Sequence, residues 1–128
     1  MKTILVDIAH TFFVYNQGIF KEMYGLLEEY PNRKILVTNA DSEKMMEKGM
    51  IDLPYEVFTL ENNPSKSESE YFVKLLDHYQ LKPEDVVYFD HIPECVESAK
   101  KVGIKSYFYD ENTKDLNSLK QFLDENLK

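Results

Sequence analysis

The sequence predicts an α/β fold, a Rossmann-like three-layer α/β/α sandwich around a five-stranded parallel sheet. Three observations carry that prediction. Short β-rich apolar runs alternate with longer segments of helical spacing along the whole chain. Several of the runs are apolar without alternation, as strands covered on both faces are. Strands separated by helices imply parallel pairing with helices on both sides.

Each element has its own signal. Thr3 to Val6 is a compact apolar run, read as a buried strand. Gly18 to Tyr30 carries Ile19, Phe20, Met23, Leu26 and Leu27 at helical spacing, and Pro31 stops it. Lys34 to Val37 is the second strand. Asp41 opens a helix with Met45 and Met46 on one face, closed by Gly49. Tyr55 to Leu60 is a third, more polar strand, and Glu61 to Ser67 (ENNPSKS) has the chemistry of a loop. The next helix runs to about Tyr79 with Tyr71, Phe72, Leu75 and Leu76 inward. Pro83 and Glu84 turn the chain into the fourth strand, Asp85 to Phe89. Pro93 to Val102 is a helix with Gly103 at its C-terminal cap, Lys105 to Tyr109 the fifth strand, and Asp115 to Leu127 a last amphipathic helix.

At 128 residues the chain has the length of one domain, so residues 1–128 are expected to share one core. A net charge of -8 argues against a surface built to grip nucleic-acid phosphates. One cysteine, Cys95, excludes an internal disulfide and fits a reducing compartment. The N-terminal apolar run is too short for a secretory leader, and no stretch approaches the ~20 apolar residues of a membrane span. The expected location is the cytoplasm, with no membrane association.

In an open parallel sheet, ligands bind beyond the carboxyl ends of the strands, near the point where strand order reverses. The residues there are Asp7 after the first strand, Thr38 and Asn39 after the second, and Asp90 and His91 after the fourth. Lys66 lies in the polar loop before a helix. Two carboxylates converging at one sheet edge repel each other unless a cation or a cationic side chain stands between them. Lys66 supplies such a charge. Thr38 offers a hydroxyl, and Asn39 an amide and a backbone N–H at a helix start.

These four features, in this order, resemble the four motifs of the haloacid dehalogenase-like (HAD) phosphohydrolase superfamily. The family's first motif, D-x-D-x-T, corresponds to Asp7-Ile8-Ala9-His10-Thr11. The second corresponds to Thr38, the third to Lys66, and the fourth, an acidic pair, to Asp90 followed by His91. The resemblance spans nearly the whole chain and implies a HAD-like core with no cap domain. It implies that Asp7 is a nucleophile that forms an aspartyl-phosphate. It also implies Mg2+ held by Asp7, the backbone carbonyl of Ala9, and Asp90. Thr38, Asn39 and Lys66 would hold the phosphoryl oxygens.

Two positions depart from that pattern. Ala9 stands where the family places its general acid/base Asp, a loss worth ~10²–10⁴ in rate. His91 replaces the second acidic residue, and weaker magnesium binding is expected. His10 takes the place of the usual Gly; adjacent side chains near a strand end point apart, so it is a poor substitute for the missing acid. Two readings follow: a slow Mg2+-dependent phosphohydrolase, or an inactive binding or regulatory module on the same fold. An uncapped site suits a phosphorylated substrate, macromolecular ones included, or a protein partner that acts as a lid. Phe12, Phe13 and Tyr15 are candidates for a contact patch at that rim. Cys95 is expected to be a small buried residue without redox function.

Overall fold

The computed structural model describes residues 1–128. Its main sheet has five parallel strands. These are β1 (Thr3–Asp7), β4 (Lys34–Thr38), β5 (Glu56–Thr59), β6 (Val86–Asp90) and β7 (Lys105–Phe108), in spatial order β5-β4-β1-β6-β7. A two-stranded antiparallel hairpin, β2 (Phe13–Val14) and β3 (Gly18–Ile19), stands beyond the end of β1. The helices are α1 (Lys21–Leu27), α2 (Ser42–Glu47), α3 (Ser69–Tyr79), α4 (Pro93–Lys101) and α5 (Leu116–Asn126). A 3-10 turn over Pro83–Asp85 precedes β6.

The central strands are buried on both faces, which explains their unbroken apolar runs. Ile4 and Val6 of β1, Leu36 of β4, and Val87 and Phe89 of β6 face one core, closed by Met23, Leu26 and Leu27 of α1 and Leu119 and Leu123 of α5. Leu5, Ile35, Val37, Val86 and Tyr88 face the other, closed by Tyr71, Phe72, Leu75 and Leu76 of α3 and Cys95 and Ala99 of α4. Side chains alternate faces along each strand, so one strand feeds two cores. The expected three-layer sandwich is therefore observed. No helix is long and apolar enough to cross a membrane.

Helix ends follow local chemistry. The Asp41 side chain accepts from the Lys44 N–H at 2.8 Å, and Asp115 caps α5 through the Ser118 N–H at 3.0 Å. After α4 the chain reverses through Gly103 at φ +97, where a side chain would be strained. After α3 that left-handed position falls to Gln80 instead.

The structure corrects the sequence reading in one region. Helix α1 starts at Lys21, not Gly18, because Gly18 and Ile19 pair back onto Phe13 and Val14. Asn16 and Gly18 adopt positive φ, which lets the turn close. The same reversal defeats the expected aromatic patch. The N–H groups of Thr11, Phe12 and Phe13 all donate to the Ile8 carbonyl. That tight turn folds both phenylalanines into the core, Phe12 wholly and Phe13 at 7% exposure. Only Tyr15 remains half-exposed, with its ring 4.7 Å from that of His10.

Candidate active site

Strands β4, β1 and β6 are neighbours, so their carboxyl ends lie side by side. Asp7 pairs across to Val37, and Val6 to Phe89, which brings Asp7, Thr38 and Asp90 to one edge. Sheet order reverses direction on either side of β1, the position that opens a crevice in such folds. A cleft of about 410 Å³ lies there, lined by Asp7, Ala9, Thr38, Asn39, Lys66 and His91 among others.

Lys66 is the hub. Its Nζ donates to Asp7 Oδ1 at 2.7 Å and to Asp90 Oδ2 at 2.8 Å, and all three residues are buried. The remaining carboxylate oxygens are also held. Asp7 Oδ2 accepts from Thr11 Oγ1 at 2.8 Å and lies 2.5 Å from His91 Nδ1. Asp90 Oδ1 accepts from the Ile92 N–H at 3.0 Å, and Asp90 Oδ2 accepts from the Tyr88 hydroxyl.

Four further side chains pack their polar groups around the lysine and its neighbours. Ser98 Oγ donates to the Lys66 carbonyl at 2.5 Å, tying the loop to α4. Asn39 Oδ1 accepts from the Lys66 N–H at 2.8 Å, while its Nδ2 donates to Ser65 Oγ at 3.1 Å. The Asn39 side chain is thus spent on positioning the lysine loop, which leaves its backbone N–H for a ligand. Thr38 Oγ1 accepts from the Ala40 N–H at 3.1 Å, so its own hydrogen is free for a ligand oxygen. Tyr71, reaching up from α3, donates to the carbonyls of Thr38 and Phe58, both at 3.0 Å.

The electrostatics follow from burial and pairing. Burial alone would raise the Asp7 pKa, but Lys66 and His91 beside it overcome that and hold the carboxyl well below the usual range. Asp90 goes the other way. Burial first, and the Asp7 charge second, push it up to about 6 against the opposing pull of Lys66. Lys66 stays protonated: burial disfavours its charge, yet the two aspartates more than offset that. Burial also opposes the His91 charge, and the hydrogen bond to Asp7 raises its pKa nonetheless. The Cys95 thiol is pushed up to about 12 by burial, as suits an inert packing residue.

Ala9 lines the cleft and carries no proton donor into it. His10 does not replace one. It adopts φ +62, and its Nδ1 turns to Glu111 at 3.7 Å, with the ring 5.7 Å from that of His91. Asp7, Asp90 and His91 each present one ligand atom, all within 4.8 Å of one another, so the donor set fits a divalent cation. The sequence puts His91 at a strand end but gives it no ligand role, and Tyr88, Ser98 and Tyr71 are not among the predicted site residues. Tyr88 had a signal there: it stands two residues before Asp90 on one strand and so shares its face.

No family model matches the sequence, and no curated protein sequence matches it. Solved structures do match. The core domain of a candidate phosphoglycolate phosphatase from Streptococcus pneumoniae superposes with a TM-score of 0.64 at 18% identity, over 96% of this chain and 95% of that one. A HAD family enzyme from Bacteroides thetaiotaomicron, solved as a mutant in complex with magnesium and inorganic phosphate, gives 0.64 at 13% identity, over 84% and 93%. A HAD-superfamily hydrolase from Geobacter sulfurreducens gives 0.57 at 11% identity, over 85% and 87%. At such identities the likeness is one of architecture: the chain has the HAD-like α/β fold, with no cap domain inside its 128 residues.

Proposed function

We propose that this protein is a phosphohydrolase that works through an aspartyl-phosphate on Asp7. The observation that carries the reading is the Lys66 ammonium, which bridges Asp7 of the cleft lining at 2.7 Å and the fully buried Asp90 at 2.8 Å. Burying two carboxylates and an ammonium costs several kcal/mol per ion, so a purely structural role would be an expensive use of these residues. Its fold neighbour from Bacteroides, bound to magnesium and phosphate, supports the same reading.

In this mechanism an Asp7 oxygen attacks phosphorus while the bond from phosphorus to the leaving oxygen breaks. The leaving oxygen departs with the electron pair. Lys66, Thr38 and the Asn39 backbone N–H hold the phosphoryl oxygens. Water then attacks phosphorus, the Asp7–phosphorus bond breaks, phosphate leaves, and the water proton passes to solvent. A divalent cation, Mg2+ on the family resemblance, would be held by Asp7, Asp90 and the Ala9 carbonyl and would neutralise phosphoryl charge. Nothing at Ala9 protonates the leaving group, so substrates whose leaving oxygen departs unprotonated are favoured. The open cleft suits a phosphoryl group carried on a large molecule, or closure by a partner protein.

The test is hydrolysis of an aryl phosphate with and without divalent cation. Cation-dependent turnover that disappears in Asp7→Asn supports the reading; turnover unaffected by that change overturns it.

A second reading has its own support. Both Asp7 oxygens are already engaged, by Lys66, Thr11 and His91. A site so saturated, without an acid at Ala9, also suits an inactive module that binds phosphate or a cation. Ligand-induced thermal stabilisation without turnover would favour it.

A further inference from the structure

The position of His91 bears on which ion this site selects. Lys66 and Tyr88 occupy Asp90 Oδ2, and Lys66 occupies Asp7 Oδ1. Every oxygen of the two carboxylates has a partner, and the two that do not bond Lys66 are Asp7 Oδ2 and Asp90 Oδ1. Both converge on the same imidazole nitrogen: His91 Nδ1 lies 2.5 Å from the first and 3.5 Å from the second. Neither oxygen is free to swing away, since Thr11 Oγ1 holds Asp7 Oδ2 and the Ile92 N–H holds Asp90 Oδ1. The imidazole is itself enclosed, with a side-chain exposure of 12%. A cation that enters between the two oxygens displaces to solvent the proton that Nδ1 shares with Asp7 Oδ2, and Nδ1 then draws back to serve as a third ligand.

We infer that His91 turns this into a two-carboxylate, one-imidazole centre that selects a late first-row divalent ion such as Fe2+, Co2+ or Zn2+ over Mg2+. The inference rests on the reading of Asp7 and Asp90 as cation ligands. Mg2+ requires near-octahedral oxygen ligation and sheds water reluctantly. Imidazole suits Zn2+ and Fe2+, and affinity for nitrogen-containing sites rises along the first row toward copper. A histidine at this position also supplies no negative charge, which removes electrostatic attraction on which a hard ion depends.

The experiment measures cation affinity of the metal-free protein by thermal shift and titration calorimetry, with Mg2+ and Co2+ as probes. The visible absorption of bound Co2+ reports nitrogen ligation. Wild type is compared with His91→Asp, and with His91→Gln should the aspartate variant fold poorly. The expected result is that Co2+ binds wild type at least about tenfold more tightly than Mg2+. His91→Asp narrows or reverses that preference by about tenfold and changes the Co2+ spectrum, and His91→Gln weakens Co2+ alone. Equal or tighter Mg2+ binding to wild type, or an unchanged preference and spectrum in the variants, overturns the inference while leaving the ligand roles of Asp7 and Asp90 intact. If neither ion binds wild type, both the inference and the cation in the proposed reaction fail.

Discussion

Lys66 Nζ lies 2.7 Å from Asp7 Oδ1, and the two residues, 59 positions apart in the chain, form a nearly buried ion pair in the lining of the cleft. This pair holds the ends of β1 and the loop before α3 in one arrangement. It also sets the charge state of the cleft, because the ammonium keeps Asp7 ionised while Asp90 is held closer to neutrality.

Removing the ammonium leaves two buried carboxylates uncompensated. Lys66→Met should destabilise the metal-free protein by ~3–5 kcal/mol at neutral pH. Urea unfolding measures this. The deficit should shrink on acidification, when protonation relieves the repulsion between Asp7 and Asp90.

Tyr88→Phe deletes only the hydroxyl that donates to Asp90. Since the acceptor is a carboxylate inside the core, a loss of ~1.5–3 kcal/mol is expected, with the sheet unchanged by circular dichroism. A loss below ~0.5 kcal/mol would show that Lys66 and the Ile92 N–H suffice for Asp90.

The raised pKa of Asp90 makes a signed statement about pH. Its carboxyl titrates near 6 in the folded protein and near ~3.9 in an unfolded chain. Folded stability from this group is fully present below about pH 4 and is lost as pH rises toward 6, because ionising it inside the protein is costly. Asp7 has the opposite sign: its depressed pKa contributes stability above about pH 4 that is lost as pH falls through its folded value. Denaturant titrations in chelator should therefore show a decline between about pH 4 and 6 in wild type, reduced in Asp90→Asn. A cation that needs the ionised Asp90 should stabilise more at pH 7.5 than at 5.5.

Ala9→Asp, paired with His10→Gly to relieve the positive φ, should restore a proton donor. The expected gain is ~10²–10⁴ in turnover of an alkyl phosphate, and much less for an aryl phosphate, whose leaving group needs no proton. Steady-state rates on both substrates decide this. An equal gain on both would place the effect elsewhere.

Much of this architecture is written in local pattern. The doubly buried strands read as unbroken apolar runs, and α3 and α5 read as apolar stripes, so the sheet, its parallel sense and the strand-end sites followed. The hairpin did not. Its strands are two residues each, too short for periodicity, and Ile19 and Phe20 fit a helical stripe equally well. What Phe12 and Phe13 do is set by the turn onto the Ile8 carbonyl, a backbone event no side-chain pattern announces. At the site, Asp7, Thr38, Lys66 and Asp90 were legible from their places after strands or before a helix. The clamps Ser98 and Tyr71 were not, because they act from helices distant in sequence and look like ordinary helix residues.

The most direct test of the central claim is chemical trapping of the phosphoryl group on Asp7. The protein is mixed with an aryl or acyl phosphate and cation, quenched in acid, reduced with borohydride and mapped by mass spectrometry. The account predicts that the carboxyl of Asp7 alone is reduced, and that Asp7→Asn abolishes both the label and turnover. Turnover with no label at Asp7, or a label at Asp90 instead, would contradict it.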